Sequence, residues 1–201
     1  MVIVGLTGSL ATGKSTVATM FRELGAKVVD ADKITHHLIR PGKNCFKQVV
    51  RYFGNAILVK GHIDRKKLAK IVFSNGFALK KLEAIIHPKV ICEIKKEIAV
   101  AKRLQRRKII VIDAPLLIEA GLHSLVDVLI VVKANLGQQI TRVILRKGIT
   151  REGALHRIKS QMPLRQKTQL ADIIIANTGD LHSTRKQVQT IWFKLLKIQN
   201  N

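Results

Sequence analysis

Five short apolar runs rich in β-branched residues punctuate the chain, at positions 2–7, 27–30, 108–113, 127–132 and 172–176. Each has strand length, and the segments between them space their apolar residues at helical intervals instead. After the first run, Val17, Met20, Phe21 and Leu24 share one helical face. Near the C-terminus Val188, Ile191, Trp192 and Leu195 do the same, which predicts an amphipathic helix closing the core. Strands alternating with helices predict an α/β fold around a parallel five-stranded sheet, with ligands at the carboxyl ends of the strands. One interval breaks the rhythm. About 75 residues of helical pattern, roughly 33–107, separate the second and third runs, where a crossover needs only about a dozen. The excess predicts an inserted helical lobe, with a turn at "IRPGKN" near its start and a break at His87-Pro88.

Composition adds limits. At 201 residues and 47% hydrophobic content, the chain can bury one sizeable core. No apolar stretch has transmembrane length, and the N-terminus lacks a charged start followed by a cleavable apolar region. The expectation is a cytoplasmic protein with no membrane partner. Cys45 and Cys92 suggest neither a metal knuckle nor a disulfide framework, and are expected to be ordinary buried or semi-buried thiols.

Charge is the unusual feature: 36 Lys and Arg against 13 Asp and Glu, formally +23. Such a field favours polyanions, from nucleic acids to phosphorylated metabolites. Two stretches concentrate it. Positions 89–108 hold eight basic residues and two acidic ones, and positions 142–167 hold eight and one. The first reads as a solvated helix face, because Val90, Ile94, Ile98 and Ala101 recur at helical spacing among Lys95, Lys96, Arg106, Arg107 and Lys108. The second needs a ligand to make sense.

That ligand follows from "GLTGSLATGKSTV", residues 5–17. Gly8, Gly13, Lys14 and Ser15 have the P-loop spacing, between a strand-like run and a helix-like run. Glycines there let backbone N–H groups turn toward phosphate oxygens, the lysine reaches the outer phosphates, and the serine hydroxyl ligates Mg²⁺. Carboxylates close the second and third runs: "VVDAD" carries Asp30 and Asp32, and "VIDAP" carries Asp113. A carboxylate beside the phosphate crevice can orient and deprotonate an attacking hydroxyl, or simply cap the next helix. Alternate strand residues share a face, so periodicity leaves Asp30 and Asp32 equivalent. Asn177 opens "NTGD", which has threonine where guanine-binding proteins carry lysine; a kinase fits better than a signalling GTPase. Arg142, Arg146, Arg151, Arg157 and Arg165 are expected on a helix-turn-helix that closes over ATP.

Taken in order, "GLTGSLATGKSTV", "VVDAD", "RPG", "HP", "DAPLLIEA", "ITREGALHRIKSQMP" and "ADIIIANTGD" resemble the dephospho-CoA kinase family nearly end to end. The P-loop is widely shared; the combination with Asp-Ala-Asp, Pro-Leu-Leu-x-Glu and the late Ala-Asp…Asn-x-Gly is specific. The resemblance implies a P-loop NTPase core of the nucleoside-monophosphate-kinase type at about 1–32, 108–140 and 168–201. It adds a helical substrate-binding lobe at about 33–107 and a lid at about 141–167. It implies transfer of the ATP γ-phosphate to the ribose 3′-hydroxyl of dephospho-CoA, with Mg²⁺ on Ser15. Asp32 matches the family's catalytic aspartate, and Lys14 joins it in catalysis. Gly8, Ala11, Thr12, Gly13, Lys14, Ser15 and Thr16 match the ATP cradle, with Arg142 and Arg146 from the lid and Asn177. On the substrate side stand Asp32, His87, Leu116, Leu117 and Glu119. Two positions depart from the pattern: Ser9 where glycine is frequent, and Ala176 where aspartate is common. Two other readings are a P-loop kinase of another small hydroxyl compound and a basic nucleic-acid-binding protein. With 4% aromatic residues, stacking platforms are scarce, so no specific nucleic-acid partner is expected. The expected state is a monomer or small homo-oligomer.

Overall fold

The computed structural model describes residues 1–104 and 109–200. Lys108, where the third apolar run begins, and the basic Arg106 and Arg107 lie outside the described residues. In chain order the elements are β1 (Val2–Gly8), α1 (Lys14–Glu23), β2 (Lys27–Asp30), α2 (Ala31–Leu38) and α3 (Asn44–Phe53). A short hairpin of β3 (Leu58–Val59) and β4 (His62–Ile63) precedes α4 (Arg65–Ser74) and α5 (Gly76–Leu104). Then come β5 (Ile109–Asp113), β6 (Val128–Lys133), α6 (Leu136–Lys147), α7 (Arg151–Lys159), α8 (Leu164–Gln169), β7 (Ile173–Ala176) and α9 (Leu181–Asn200). Two compact units divide the chain, residues 1–29 with 98–201 and residues 30–97.

The larger unit is built on the sheet, whose strand order is β2-β5-β1-β6-β7. The predicted strands are all present, and β1 runs parallel to both β5 and β6, as β6 does to β7. Alternation sorts their side chains. Val2, Val4 and Leu6 of β1, Ile109 and Val111 of β5, and Val128, Ile130 and Val132 of β6 share one face with Ile175 of β7. Against that face pack Val17, Met20 and Phe21 of α1 and Val188, Ile191 and Leu195 of α9. At about 25 cal/mol per Å² of apolar surface buried, this layer is a major source of the unit's stability, and Ile110, Ile112 and Val131 are buried on the opposite face of the sheet. Two strands start one residue later than their apolar runs suggest, because Asp127 and Asp172 extend the ladder with side chains. The Asp127 carboxylate accepts from the Ile3 amide at 2.7 Å, and that of Asp172 accepts from the Leu129 amide at 2.7 Å.

The smaller unit has its own core, in which Val49, Ile57, Leu68, Val72 and Ala78 pack with Phe53, Leu82 and Ile85. Two features differ from the sequence reading. The β3-β4 hairpin turns on Lys60 and Gly61 at φ 49° and 74°, a two-residue turn that needs positive φ at both central positions. Its strands are too short for apolar alternation to reveal them. His87-Pro88 does not break the chain: Pro88 lies inside α5. Proline forfeits one helical donor, and a helix that buries Ile86, Val90 and Ile94 on one side retains its packing across that loss. Cys45 is buried, which pushes its thiol pKa up, whereas Cys92 is exposed. Among the described residues no helix is long and apolar enough to cross a membrane.

Candidate active site

Between β1 and α1 the chain turns through residues 9–13, and its two outer glycines are sterically required. A Cβ on Gly8 would lie 2.6 Å from the Val132 carbonyl oxygen and 2.7 Å from Thr12 Oγ1. Gly13 has φ +92°, and a Cβ there would collide with the Asn177 side-chain amide. The turn is braced through its carbonyls. Thr12 donates its hydroxyl to the Ser9 oxygen at 3.0 Å, and Asn177 Nδ2 donates to the Thr12 oxygen at 2.8 Å. Arg142 donates to the Ala11 oxygen at 3.3 Å and to the Asn177 oxygen at 3.2 Å. Thr184 holds Asn177 in turn, its hydroxyl 3.0 Å from Oδ1. Four segments, β6, α6, the turn after β7 and α9, therefore set the shape of one loop, and α1 begins at its end with the helix N-terminus that favours anions.

Lys14, the first residue of α1, is mostly buried, and its ammonium pairs with the Asp113 carboxylate at the end of β5. The β1-β5 register puts Leu6 opposite Asp113, which brings the strand-end acid to the foot of the loop. Ser15 is exposed and Thr16 half-buried in the first turn of α1. Both line a cavity of about 360 Å³ with Thr19, Met20, Leu181 and the ion-paired Glu23 and Arg185. Among the described residues no cluster of three or more His, Cys, Asp or Glu could hold a metal. A cation here would depend on Ser15, one nearby carboxylate and the oxygens of a bound phosphate.

The arginines of the second basic stretch differ in placement. Arg142 is half-buried in α6 against the loop, whereas Arg146, one turn on, is exposed, as are Arg151, Arg157 and Arg165. α6 and α7 pack together through Ile140, Val143 and Ala154, and Leu10 and Ala11 of the loop pack against them. Of the substrate-side positions after β5, Leu116 is half-buried, while Leu117 is fully buried where a Cβ on Gly5 would meet its Cδ1. Leu117 thus seats the loop instead of lining its surface. Glu119 is committed to protein partners: its carboxylate lies 2.9 Å from Lys167 Nζ and accepts from the Met162 amide at 3.2 Å.

Asp32 and His87 belong to the unit of residues 30–97. The two acids that periodicity left equivalent now separate. Asp30 is the N-cap of α2, its carboxylate accepting from the Lys33 amide at 3.0 Å, whereas Asp32 sits exposed in the first helical turn. His36, one turn further, has its pKa lowered by partial burial and by Arg65, against the opposing pull of Asp32 and Asp30. His87 is half-buried in α5. Sequence reasoning missed Lys167, Thr184 and Gln161, whose Oε1 accepts from the Leu10 amide at 3.0 Å, because a polar residue that braces a loop carries no spacing signal of its own.

With this geometry in hand, similarity to known proteins is informative. A family model described as dephospho-CoA kinase matches residues 2–183. A dephospho-CoA kinase from Carboxydothermus hydrogenoformans is 46% identical over 192 residues, covering 94% of this chain and 92% of that protein. Among solved structures, a Thermus thermophilus protein superposes with a TM-score of 0.82 at 34% identity, covering 96% of this chain and 97% of that one. Dephospho-CoA kinase from Campylobacter jejuni superposes with a TM-score of 0.71 at 29% identity, covering 97% of each chain.

Proposed function

The chain belongs to the dephospho-CoA kinase family, and from that premise we propose that it transfers the γ-phosphoryl group of ATP to the ribose 3′-hydroxyl of dephospho-CoA, in the cytoplasm. The observation that carries this reading is the Lys14–Asp113 pair at the head of α1, beside a loop whose Ala11 and Thr12 carbonyls are held by Arg142 and Asn177. Phosphoryl transfer asks for positioning and charge compensation more than for covalent chemistry. Gly8, Ala11, Thr12, Gly13, Ser15 and Thr16 supply the phosphate cradle, and Lys14, aimed by Asp113, compensates the charge on the outer phosphates. Arg142 holds the cradle's shape and, with Arg146, borders the nucleotide; Asn177 joins them as the loop's brace.

Asp32 takes the proton of the acceptor hydroxyl. In support, Asp30 is committed to its helix cap, which leaves Asp32 as the exposed carboxylate of the pair. His87 and Leu116 contribute to the acceptor side, with Leu117 and Glu119 shaping the loop there. The donor set near Ser15 suits Mg²⁺, a hard cation that binds through one or two protein oxygens together with substrate phosphates and water. Ser15 Oγ, with Asp113 nearby, would hold it, and it would screen the negative charge of the phosphate oxygens. Incubation with ATP and Mg²⁺ and one acceptor at a time, among dephospho-CoA, adenosine and pantetheine, tests the reading. CoA and ADP in equal amounts from dephospho-CoA alone is the expected result; turnover of adenosine at a comparable rate would overturn it.

A further inference from the structure

Lys167 is fully buried, which is unusual for an ammonium group, and nothing in the proposed phosphate chemistry uses it. Its Nζ donates to the Pro115 carbonyl oxygen at 2.6 Å and lies 2.9 Å from the Glu119 carboxylate. The same Pro115 oxygen accepts from the Thr7 hydroxyl at 3.1 Å, at the end of β1. Two residues before the helix that carries Lys167, the Met162 amide donates to Glu119 at 3.2 Å. Its neighbour Gln161 accepts from the Leu10 amide of the phosphate loop at 3.0 Å. Residues 161–167, which lead back from α7 to the sheet, are therefore fastened to the phosphate loop at one point and to the loop after β5 at three.

Stability alone is a poor reason for this arrangement. A buried ion pair loses in desolvation much of what it gains in attraction, and an apolar side chain of similar volume would often serve as well. Directionality is what the charge adds: two short bonds fix the course of residues 115–119 where an apolar contact would let it slide. We propose that Lys167 is a positioning residue for the acceptor, acting through Glu119 and the Pro115 carbonyl to hold the loop after β5 in register with the limb at 161–167. The inference rests on reading that loop as the acceptor side. The phosphate cradle has independent braces in Asn177, Arg142 and Thr184, so the nucleotide side should not depend on Lys167.

Steady-state kinetics of the full chain, with ATP and dephospho-CoA varied separately, provide the test. Lys167→Met is expected to raise the KM for dephospho-CoA at least about tenfold while that for ATP moves less than about threefold, because only one substrate loses its alignment. Lys167→Arg, which keeps the cation and its donors, should recover most of the loss, and Glu119→Gln should move the same parameter in the same direction. A fall in kcat with a parallel rise in both KM values and a lower Tm would mark Lys167 as merely structural and overturn the proposal, as would no change. If Lys167→Met does not fold, Glu119→Gln decides, and an unchanged KM for dephospho-CoA in that variant overturns it. Hydrogen exchange at residues 115–119 separates this inference from the assigned activity. Faster exchange in Lys167→Met confined to residues 115–119 supports the anchor even if the wild type fails to use dephospho-CoA, and unchanged or uniformly faster exchange refutes it even if the wild type does.

Discussion

Lys14, Arg142 and Lys167 carry the same charge as Lys95, Lys96 and Lys102, yet the first three are enclosed by named partners while the others face solvent on α5. The enclosed cations each meet a carboxylate or backbone carbonyls, as desolvated charges must. Along α5 the surroundings are aqueous; the Lys96–Glu93 pair is exposed and of the kind that contributes little. A density of basic residues in a sequence therefore says nothing about role until burial has been assigned. The two basic stretches look alike on paper, and they differ because the second contains Arg142 and Lys167, which meet backbone carbonyls and the Glu119 carboxylate.

The sharpest break of this contrast is Lys14→Ala. Removing an enclosed cation at the phosphate cradle should cut kcat by about 10³-fold or more with circular dichroism unchanged, since the lost term is transition-state charge compensation. Wild-type turnover in a folded variant would mean that the cation is not at the chemistry. Asp32→Asn comes next. It keeps shape but cannot take a proton, so kcat should fall at least about a hundredfold with ATP affinity intact. Asp30→Asn should instead lower Tm slightly and leave kcat alone, because its carboxylate caps α2. If Asp30→Asn is the damaging change, the two acids have been assigned the wrong way round.

Smaller effects follow outward from the site. Asn177→Ala removes the donor to the Thr12 oxygen and leaves the Thr184 hydroxyl only the Asp180 carbonyl oxygen at 3.2 Å, so the KM for ATP should rise about tenfold and stability should fall by about 1–3 kcal/mol. Equilibrium binding of a nucleotide analogue checks the first and urea denaturation the second. Lys95→Gln with Lys96→Gln should change stability by no more than about 0.5 kcal/mol and leave turnover unaltered, which is the opposite pole of the comparison. A loss of activity there would move the exposed face into the mechanism. The slightest effect concerns Asp64, whose pKa is lowered by hydrogen bonds from the Lys67 and Lys66 amides at the start of α4. A carboxylate lowered in the folded state stabilises above its ordinary range, and that contribution disappears as pH falls through its folded pKa. Asp64→Asn should accordingly flatten the acid limb of a Tm-against-pH curve, and an identical limb would show that the cap contributes nothing.

Much of the molecule could be read before any coordinates. Five β-branched runs and the intervals between them identify the strands: the central β1, β5 and β6 are buried on both faces and so apolar nearly throughout, and the edge strands β2 and β7 are short runs of the same residue types. The spacing of Gly8, Gly13, Lys14 and Ser15 identifies the phosphate loop, because a positive φ at Gly13 directly before a helix is a local demand, although the atoms that exclude a Cβ at Gly8 and Gly13 include those of the remote Val132 and Asn177. Side chains whose meaning depends on distant partners were not readable in this way. Asp30 and Asp32 became distinct through a contact that is local but invisible to periodicity, the Lys33 amide on Asp30, and Pro88 stayed inside a helix because burial on either side of it outweighed its missing donor. Lys167 looked like one more cation in a basic stretch until Pro115 and Glu119, 52 and 48 positions earlier in the chain, came within hydrogen-bonding distance. Local conformation and apolar periodicity are written along the chain. The desolvation and pairing of a polar group depend on which remote segments surround it, and no spacing rule contains that.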